Sequence, residues 1–271
     1  RVNFANAVAW HSTVSKITQV AGPALGGVIY LAGPEIVYAL AAAGLLVATV
    51  MTLFIRTRTE RGQRQPTTLS TLFAGLRYVY NKKIIFGAIT LDLFVVLLGG
   101  VTALFPVFAK DILETGAAGA GFLRSAMAGG ALLSGIMLTQ MALERSVGKI
   151  LFATVLIFGV TTIIFGLSNL FWLSLLSMAI LGAADMISVN IRVTLLQIAT
   201  PDEMRGRVSA VSSVFTGASN EIGEFRAGIM AAFIGAVPAV LIGGIGSIVV
   251  AAICWKAFPQ LAKVERFDQE L

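Results

Sequence analysis

Eight long apolar runs divide this chain, each of about 20 residues, which is the helix length that a hydrocarbon core of roughly 30 Å requires. Three of them contain no Asp, Glu, Lys, Arg or His: Ile36 to Ile55, Ile150 to Leu167 and Ala239 to Trp255. These are the second, fifth and eighth runs, so every third helix is free to face lipid. The pattern predicts an all-α polytopic membrane protein built from three-helix units, with eight transmembrane helices in this chain.

The other five runs all carry charged groups or histidine. An ionisable group exposed to lipid costs at least about 2.5–3.5 kcal/mol, so these helices must turn such groups toward protein or a water-filled cavity. In chain order the groups are His11 and Lys16, Asp92, Arg124, Asp185 and Arg192, and Glu221, Glu224 and Arg226.

Composition and charge placement agree with this fold. Apolar residues make up 57% of the chain and charged residues 13%, and the mean hydropathy is +0.88. The net charge of +6 does not indicate nucleic-acid binding, because the basic residues cluster in alternate connectors, above all between Arg56 and Lys83. Such asymmetry predicts that this loop and the C-terminus are cytoplasmic, in a multi-pass plasma (bacterial inner) membrane protein.

The sequence offers little for catalysis. The only cysteine is Cys254 and the only histidine is His11, and no HExxH or GxSxG motif is present. We therefore expect no metal site, no cofactor and no catalytic residue. A polytopic membrane enzyme and a subunit of an ATP-driven pump are the competing classes, and both are disfavoured.

A weak internal repeat suggests how the helices are organised. The segment beginning at Asn6 aligns without gaps on the segment beginning at Arg207, which places Gly22 on Gly223 and Gly27 on Gly228. The first and seventh helices would then be equivalent, as in two parallel six-helix halves. We expect twelve helices in all, with about four before residue 1. The expected division is 1–55 for the end of the N-terminal bundle, 56–83 for a cytoplasmic linker, 84–258 for the C-terminal six-helix bundle and 259–271 for a cytoplasmic tail.

The linker contains one further helix signal. Apolar residues recur at helical spacing from Leu69 to Tyr80, with Arg77, Lys82 and Lys83 beside them. This pattern predicts an amphipathic helix that lies on the inner membrane surface as an anchor.

Two motifs carry a family resemblance. The sequence AGPALGG from Ala21 to Gly27 resembles the Gly-Pro motif of drug and metabolite antiporters, and TPDEMRGRVSAV from Thr200 to Val211 resembles a branch of drug and siderophore efflux permeases. The whole chain resembles helices five to twelve of a major facilitator superfamily permease. The resemblance implies a two-bundle fold, alternating access, a monomeric carrier and proton-coupled export, with the proton gradient as the energy source.

Depth along each helix groups the charged residues. At 1.5 Å per residue, Lys16, Asp92 and Asp185 share one level of the membrane, and Glu221 or Glu224 shares another with Arg124. A carboxylate beside a cation that can move away meets the physical requirement for proton coupling. The candidates for transport or proton coupling, led by Asp92 and Glu221, are Asp92, Asp185, Glu221, Glu224, Lys16, Arg124 and Asn220.

A second group of candidates concerns conformational change. Gly22 and Pro23 permit a kink, and Gly26 and Gly27 permit close helix approach. The remaining members of this group are Arg192 in mid-helix and the cytoplasmic residues Asp202, Glu203, Arg205 and Arg207.

The sequence therefore predicts a secondary active transporter that exports a small amphipathic compound, a drug or a siderophore, with the lipid bilayer and that compound as its partners. A facilitator or importer on the same fold is the alternative.

Overall fold

The computed structural model describes residues 14, 18, 21–54, 69–140 and 146–267. In the range 69–140, side chains are described from residue 75 onward. Within these residues the regular structure is entirely helical. Lys16 and His11, and the basic residues from Arg56 to Arg64, lie outside the described residues. The helices are α1 (Ala21–Ala32), α2 (Pro34–Leu53), α3 (Leu69–Asn81), α4 (Lys83–Gly99), α5 (Gly116–Gln140), α6 (Val147–Leu167), α7 (Phe171–Ile198), α8 (Asp202–Ile234), α9 (Ala236–Ala257) and the short α10 (Pro259–Ala262).

Six of the described helical stretches are long and apolar enough to cross a membrane, which confirms the all-α polytopic class. They are Pro34–Leu53, Lys83–Ile112, Gly116–Gln140, Val147–Leu167, Phe171–Ile198 and Ala236–Ala257. The first and seventh predicted spans differ from these: α1 is shorter within the described residues, and α8 has 33 residues but is much more polar.

Among the described residues, six helices pack side by side into one bundle. Following the contacts around it, α5 packs on α7, α7 on α6, α6 on α9, α9 on α4, and α4 on α8. Phe105, Phe108 and Phe165 pack together in the core, and the rings of Phe108 and Phe165 stack with centroids 4.5 Å apart. The outward face of α6 is apolar, with Ile157 and Val160 exposed, as lipid contact requires.

Helix α2 is the most exposed of the described helices. It has no buried residue, and its exposed side chains are aliphatic or aromatic for almost its whole length. Gly33 precedes it with a φ of +127°, and Pro34 occupies the first turn, where its missing N–H is not needed. A helix of this composition is stable only when lipid or other protein covers it.

The third predicted span is interrupted. Helix α4 ends at Gly99, and the chain then makes a 3-10 turn, a short α turn and a π turn over Thr102–Ile112. We call Thr102–Ile112 the outer segment. The helix breaks here because Gly99 and Gly100 weaken it and Pro106 lacks the N–H that would continue it.

The amphipathic helix of the linker forms, but much of it lies against protein. Helix α3 packs on α8: Gly75 faces the backbone of Arg207, and Val79 is buried. The Tyr78 hydroxyl donates a 2.9 Å hydrogen bond to the carbonyl of Ala199. Tyr80 remains exposed, so part of the apolar face is free, and the anchoring role stays a prediction.

Charges separate toward the two ends of the bundle. By chain connectivity, one end holds basic residues from four connectors, and Glu35, Lys110, Asp111 and Glu114 lie at the other. The basic end contains Lys82, Lys83, Lys149, Arg205, Arg207, Lys256 and Lys263. Which end is cytoplasmic stays a prediction.

Candidate functional site

The centre of the candidate site is an ion pair within the bundle. Asp92 on α4 and Arg192 on α7 form a salt bridge, and each side chain is only 12% exposed. Thr216 on α8 donates a 2.9 Å hydrogen bond to the second oxygen of Asp92. Three helices thus meet at one carboxylate, and Arg192 also donates through Nε to the carbonyl of Ser188 at 3.2 Å.

A second carboxylate lies beside this pair. Asp185 lines the same narrow cavity as Asp92, Ser188 and Arg192, and the apolar wall of that cavity includes Phe158 of α6. Asp185 and Arg192 are seven residues apart on α7 and therefore on one face of the helix. The predicted grouping of Asp92 with Asp185 is seen as a shared cavity, which Arg192 also lines.

A wider cavity of about 390 Å³ opens from the ion pair. Helix α8 supplies a polar wall that consists of Ser212, Ser213, Thr216, Gly217 and Asn220. The opposite wall is apolar and consists of Ala88, Ile89, Val189, Val193 and Leu196. One polar wall, one apolar wall and a charged pair at the junction suit an amphipathic molecule.

A second polar cluster surrounds Glu224 on α8. The Thr102 hydroxyl donates a 2.5 Å hydrogen bond to this carboxylate. Glu224 and Arg124 line one outer cavity of about 430 Å³ together with Pro23, Gly26 and Gly27 of α1. The predicted grouping of Glu224 with Arg124 is therefore seen as a shared cavity, and the two groups do not form an ion pair with each other among the described contacts.

The other predicted candidates are mostly exposed, and only Asn220 among them lines one of these cavities. Glu221 is exposed and lines neither of them, whereas Asn220 is exposed on the rim of the wider cavity. Asp202 and Arg205 form a 2.7 Å ion pair at the start of α8, and this pair is largely exposed. Glu203 is exposed beside it. Arg207 is partly buried and lies against Gly75 of α3.

The Gly-Pro motif places two helix backbones in contact. Added to Gly27, a Cβ atom would lie 2.9 Å from the carbonyl oxygen of Ala117 and 3.2 Å from the Cα atom of Gly121 on α5. Added to Gly121, a Cβ atom would overlap the carbonyl of Pro23. Gly22 and Gly26 have more room, so the close crossing of α1 and α5 rests on Gly27 and Gly121.

Sequence reasoning missed several residues of the site. Thr216, Ser188 and Thr102 are uncharged, and hydroxyl residues are common in membrane helices, where they often bond only to their own backbone. Only the contacts between helices identify these three residues as part of the site. Gly121 carries no charge and belongs to neither motif, and only the packing of α5 on α1 shows that it meets Gly27 at the crossing.

A bundle of membrane-spanning helices with a buried ion pair between two cavities defines a class, the polytopic proteins whose intramembrane charges mark pathways for ions or solutes. Comparison of the sequence with protein families gives the family itself. Residues 1–270 match the major facilitator family described as transmembrane secretion effectors. The chain belongs to this family, and it is therefore a multi-pass membrane protein of a transporter family rather than an enzyme.

Individual relatives come from the same superfamily. The chain is 26% identical over 270 residues to the enterobactin exporter EntS of Citrobacter koseri and 24% identical to those of Shigella boydii serotype 18 and Escherichia coli O81. Each match covers 99% of this chain and 64% of the relative. The chain thus spans a little less than two thirds of the length of these exporters.

Proposed function

We propose that this chain is part of a secondary active transporter of the bacterial inner membrane that exports a small amphipathic compound by exchange for protons. The observation that carries the proposal is the buried Asp92–Arg192 pair on three converging helices, next to a cavity with one polar and one apolar wall. Family membership and the exporter names of the relatives support the outward direction.

The ion pair supplies a physical basis for coupling. While both groups are charged, separating α4 from α7 would leave two unpaired charges in the membrane, which is strongly unfavourable. A proton on Asp92 removes one of these charges and weakens the attraction between Arg192 and Asp92 of α4. Arg192 then has Asp185, on the same face of its own helix, as an alternative partner. Protonation of Asp92 would in this way permit the two helices to move relative to each other.

The cavity indicates the chemistry of the transported compound. Hydroxyl and amide groups of α8 donate and accept hydrogen bonds along one wall, and aliphatic side chains form the other. An aromatic molecule with several oxygen atoms on one edge satisfies both walls. The relatives are named as exporters of enterobactin, so we propose a siderophore of this character as the transported compound.

The test uses the carrier in proteoliposomes with enterobactin as the probe and an imposed pH gradient. We expect gradient-driven accumulation in the wild type and its loss in Asp92→Asn, with downhill exchange of enterobactin retained. The amide keeps the size of the side chain but cannot alternate between charged and neutral forms. Glu114→Gln, at an exposed connector position, is the matched control and should leave accumulation unchanged.

The double variant Asp92→Asn/Arg192→Gln separates coupling from folding. Asp92→Asn alone strands a buried cation, at a cost of roughly 3–5 kcal/mol, and its yield should fall. Removing both charges should restore the yield but not the coupling. Full gradient-driven accumulation in either variant would show that Asp92 does not carry the proton, and uptake in the opposite direction would favour an importer.

A further inference from the structure

The end of α4 lies inside Lys83–Ile112, a helical stretch that is long and apolar enough in composition to cross a membrane. The last carbonyl groups of any helix have no partner within that helix. In a membrane they cannot be left to lipid, because an unsatisfied backbone group in hydrocarbon costs several kcal/mol. The break after Gly99 therefore requires hydrogen-bond donors from elsewhere in the protein.

One side chain supplies two of these donors. The N–H of Gly100 satisfies Val96 at 3.1 Å, and the guanidinium of Arg226 satisfies the next two carbonyls. Its Nε donates to Leu97 at 2.8 Å, and one terminal nitrogen donates to Leu98. A planar guanidinium has the geometry for two adjacent acceptors, and its positive charge suits the negative end of a helix dipole.

The surrounding glycines leave room for this arrangement. On α8, a Cβ atom added to Gly223 would lie 2.7 Å from the carbonyl oxygen of Val96. On α9, a Cβ atom added to Gly243 would lie 2.6 Å from the carbonyl oxygen of Leu98. Both neighbouring helices thus approach the end of α4 only because these positions lack side chains, and Gly243 keeps the Leu98 carbonyl free to accept from Arg226.

The carbonyls that Arg226 binds lie just before the residues that line the outer cavity. Immediately beyond the break, Val101 is 3% exposed, and Thr102, Phe105 and Pro106 of the outer segment line the cavity that holds Arg124 and Glu224. Thr102 is bound to Glu224, which is two residues before Arg226 on α8. Helix α8 therefore holds the chain on both sides of the break.

We infer that Arg226 is a positioning residue: by binding the Leu97 and Leu98 carbonyls it keeps α4 interrupted and fixes the direction of the outer segment, and hence the shape of the outer cavity. This role is separate from the proton-coupling role proposed for Asp92. It does not depend on the identity of the transported compound.

The test measures how fast a buried cysteine beyond the break reacts. Val101→Cys is introduced into the carrier, and the membranes are treated with a small water-soluble methanethiosulfonate. In Arg226→Met the side chain keeps its length but loses its donors, so we expect labelling at position 101 to accelerate at least about tenfold, the effect of losing one charged hydrogen bond. The native Cys254 is 4% exposed on α9 and serves as an internal reference, resolved by peptide mass spectrometry.

Three further variants make the result specific. Arg226→Lys keeps the charge but loses the planar guanidinium that binds two carbonyls at once, and should give an intermediate labelling rate at position 101. Gly243→Ala crowds the Leu98 carbonyl without changing Arg226, and should also accelerate labelling at position 101. Gly228→Ala lies on α8 with open space around it and should label as slowly as the parent.

The outcomes divide clearly. Acceleration at position 101 alone, in Arg226→Met and Gly243→Ala, supports the positioning role. Equal acceleration at Cys254 would show a general loss of stability and overturn it, as would unchanged labelling in Gly243→Ala. Should Arg226→Met fail to accumulate in the membrane, Arg226→Lys and Gly243→Ala decide the question in the same way.

Discussion

Individual side chains at the centre of this protein are held by polar contacts between helices that are otherwise apolar. Asp92 accepts from both Arg192 and Thr216, so the carboxylate is bound from α7 and α8 at once. A buried charge with two partners is far more stable than one with a single partner, because less of its lost hydration remains unreplaced. The hydroxyl of Thr216 is therefore part of the ion-pair site even though it carries no charge.

Thr216→Val tests that contribution. Valine keeps the shape of threonine but cannot donate, and a hydrogen bond to a charged group is worth about 1.5–3 kcal/mol. We expect gradient-driven transport to fall roughly tenfold or more, whereas Thr216→Ser should retain it. Thr139→Val is the control and should have little effect, because the exposed Thr139 hydroxyl bonds only to the carbonyl of Ile136 on its own helix.

A double variant tests whether Thr216 acts only through Asp92. Asp92→Asn retains downhill exchange, and in that background Thr216→Val should cause no further loss of exchange, because the charged acceptor of its hydrogen bond has already been replaced. Additive losses in the two backgrounds would mean that Thr216 acts elsewhere, for example on the transported compound.

The residues of the site differ in how far the sequence could reveal them. Asp92, Asp185 and Arg192 stood out because charges are costly within apolar runs, and the structure brings all three to one cavity. Glu221 stood out for the same reason but is exposed and lines neither cavity. Helical depth gives the level of a residue in the membrane but not the direction in which it points, which depends on how the helices pack.

At the scale of whole elements, apolar length predicted where the helices lie, whereas glycine and proline decided where they stop. The expected start at Ile150 became Val147, and the expected end at Leu167 was correct. The interruption after Gly99 was missed, because hydropathy stays high on both sides of it. Such breaks depend on donors such as Arg226 that come from distant parts of the chain.

Helix α3 shows a related difference between pattern and contact. Its periodicity predicted a helix on the lipid surface, and the helix is present, but Gly75 and Val79 face α8. An apolar face fits lipid and protein equally well, so the pattern alone does not identify the partner. Burial raises the pKa of the Tyr78 phenol, which therefore remains a hydrogen-bond donor to Ala199 well above neutral pH.

Gly75→Val tests whether protein or lipid holds α3. A Cβ atom at this position would lie 3.1 Å from the carbonyl oxygen of Arg207, so a branched side chain should push α3 away from α8. We expect faster amide hydrogen exchange across residues 69–81 in membranes. Leu76→Val, on the exposed side of the same helix, is the matched control. Unchanged protection in Gly75→Val would show that lipid contact is enough to order the helix.

For the molecule as a whole, the distribution of basic residues is the main evidence for orientation. Lys82, Lys149 and Lys263 lie toward one end of the bundle, together with the start of α8, and the connectors at the other end are mostly acidic or neutral. Translocation of basic segments across the inner membrane is unfavourable, so the basic end should be cytoplasmic.

Single cysteines in a Cys254→Ser background test this orientation. Asn81→Cys and Lys263→Cys lie at the basic end, and Glu114→Cys and Leu170→Cys at the other; all four positions are exposed. With the outer membrane permeabilised, a membrane-impermeant maleimide should label positions 114 and 170 in intact cells. Positions 81 and 263 should react only after the inner membrane is opened, because the charge asymmetry keeps them in the cytoplasm. The reverse pattern would show that the basic end faces the periplasm, and the Asp92 cavity would then have the opposite orientation in the membrane. Labelling of all four positions in intact cells would contradict the separation of the two ends by the membrane.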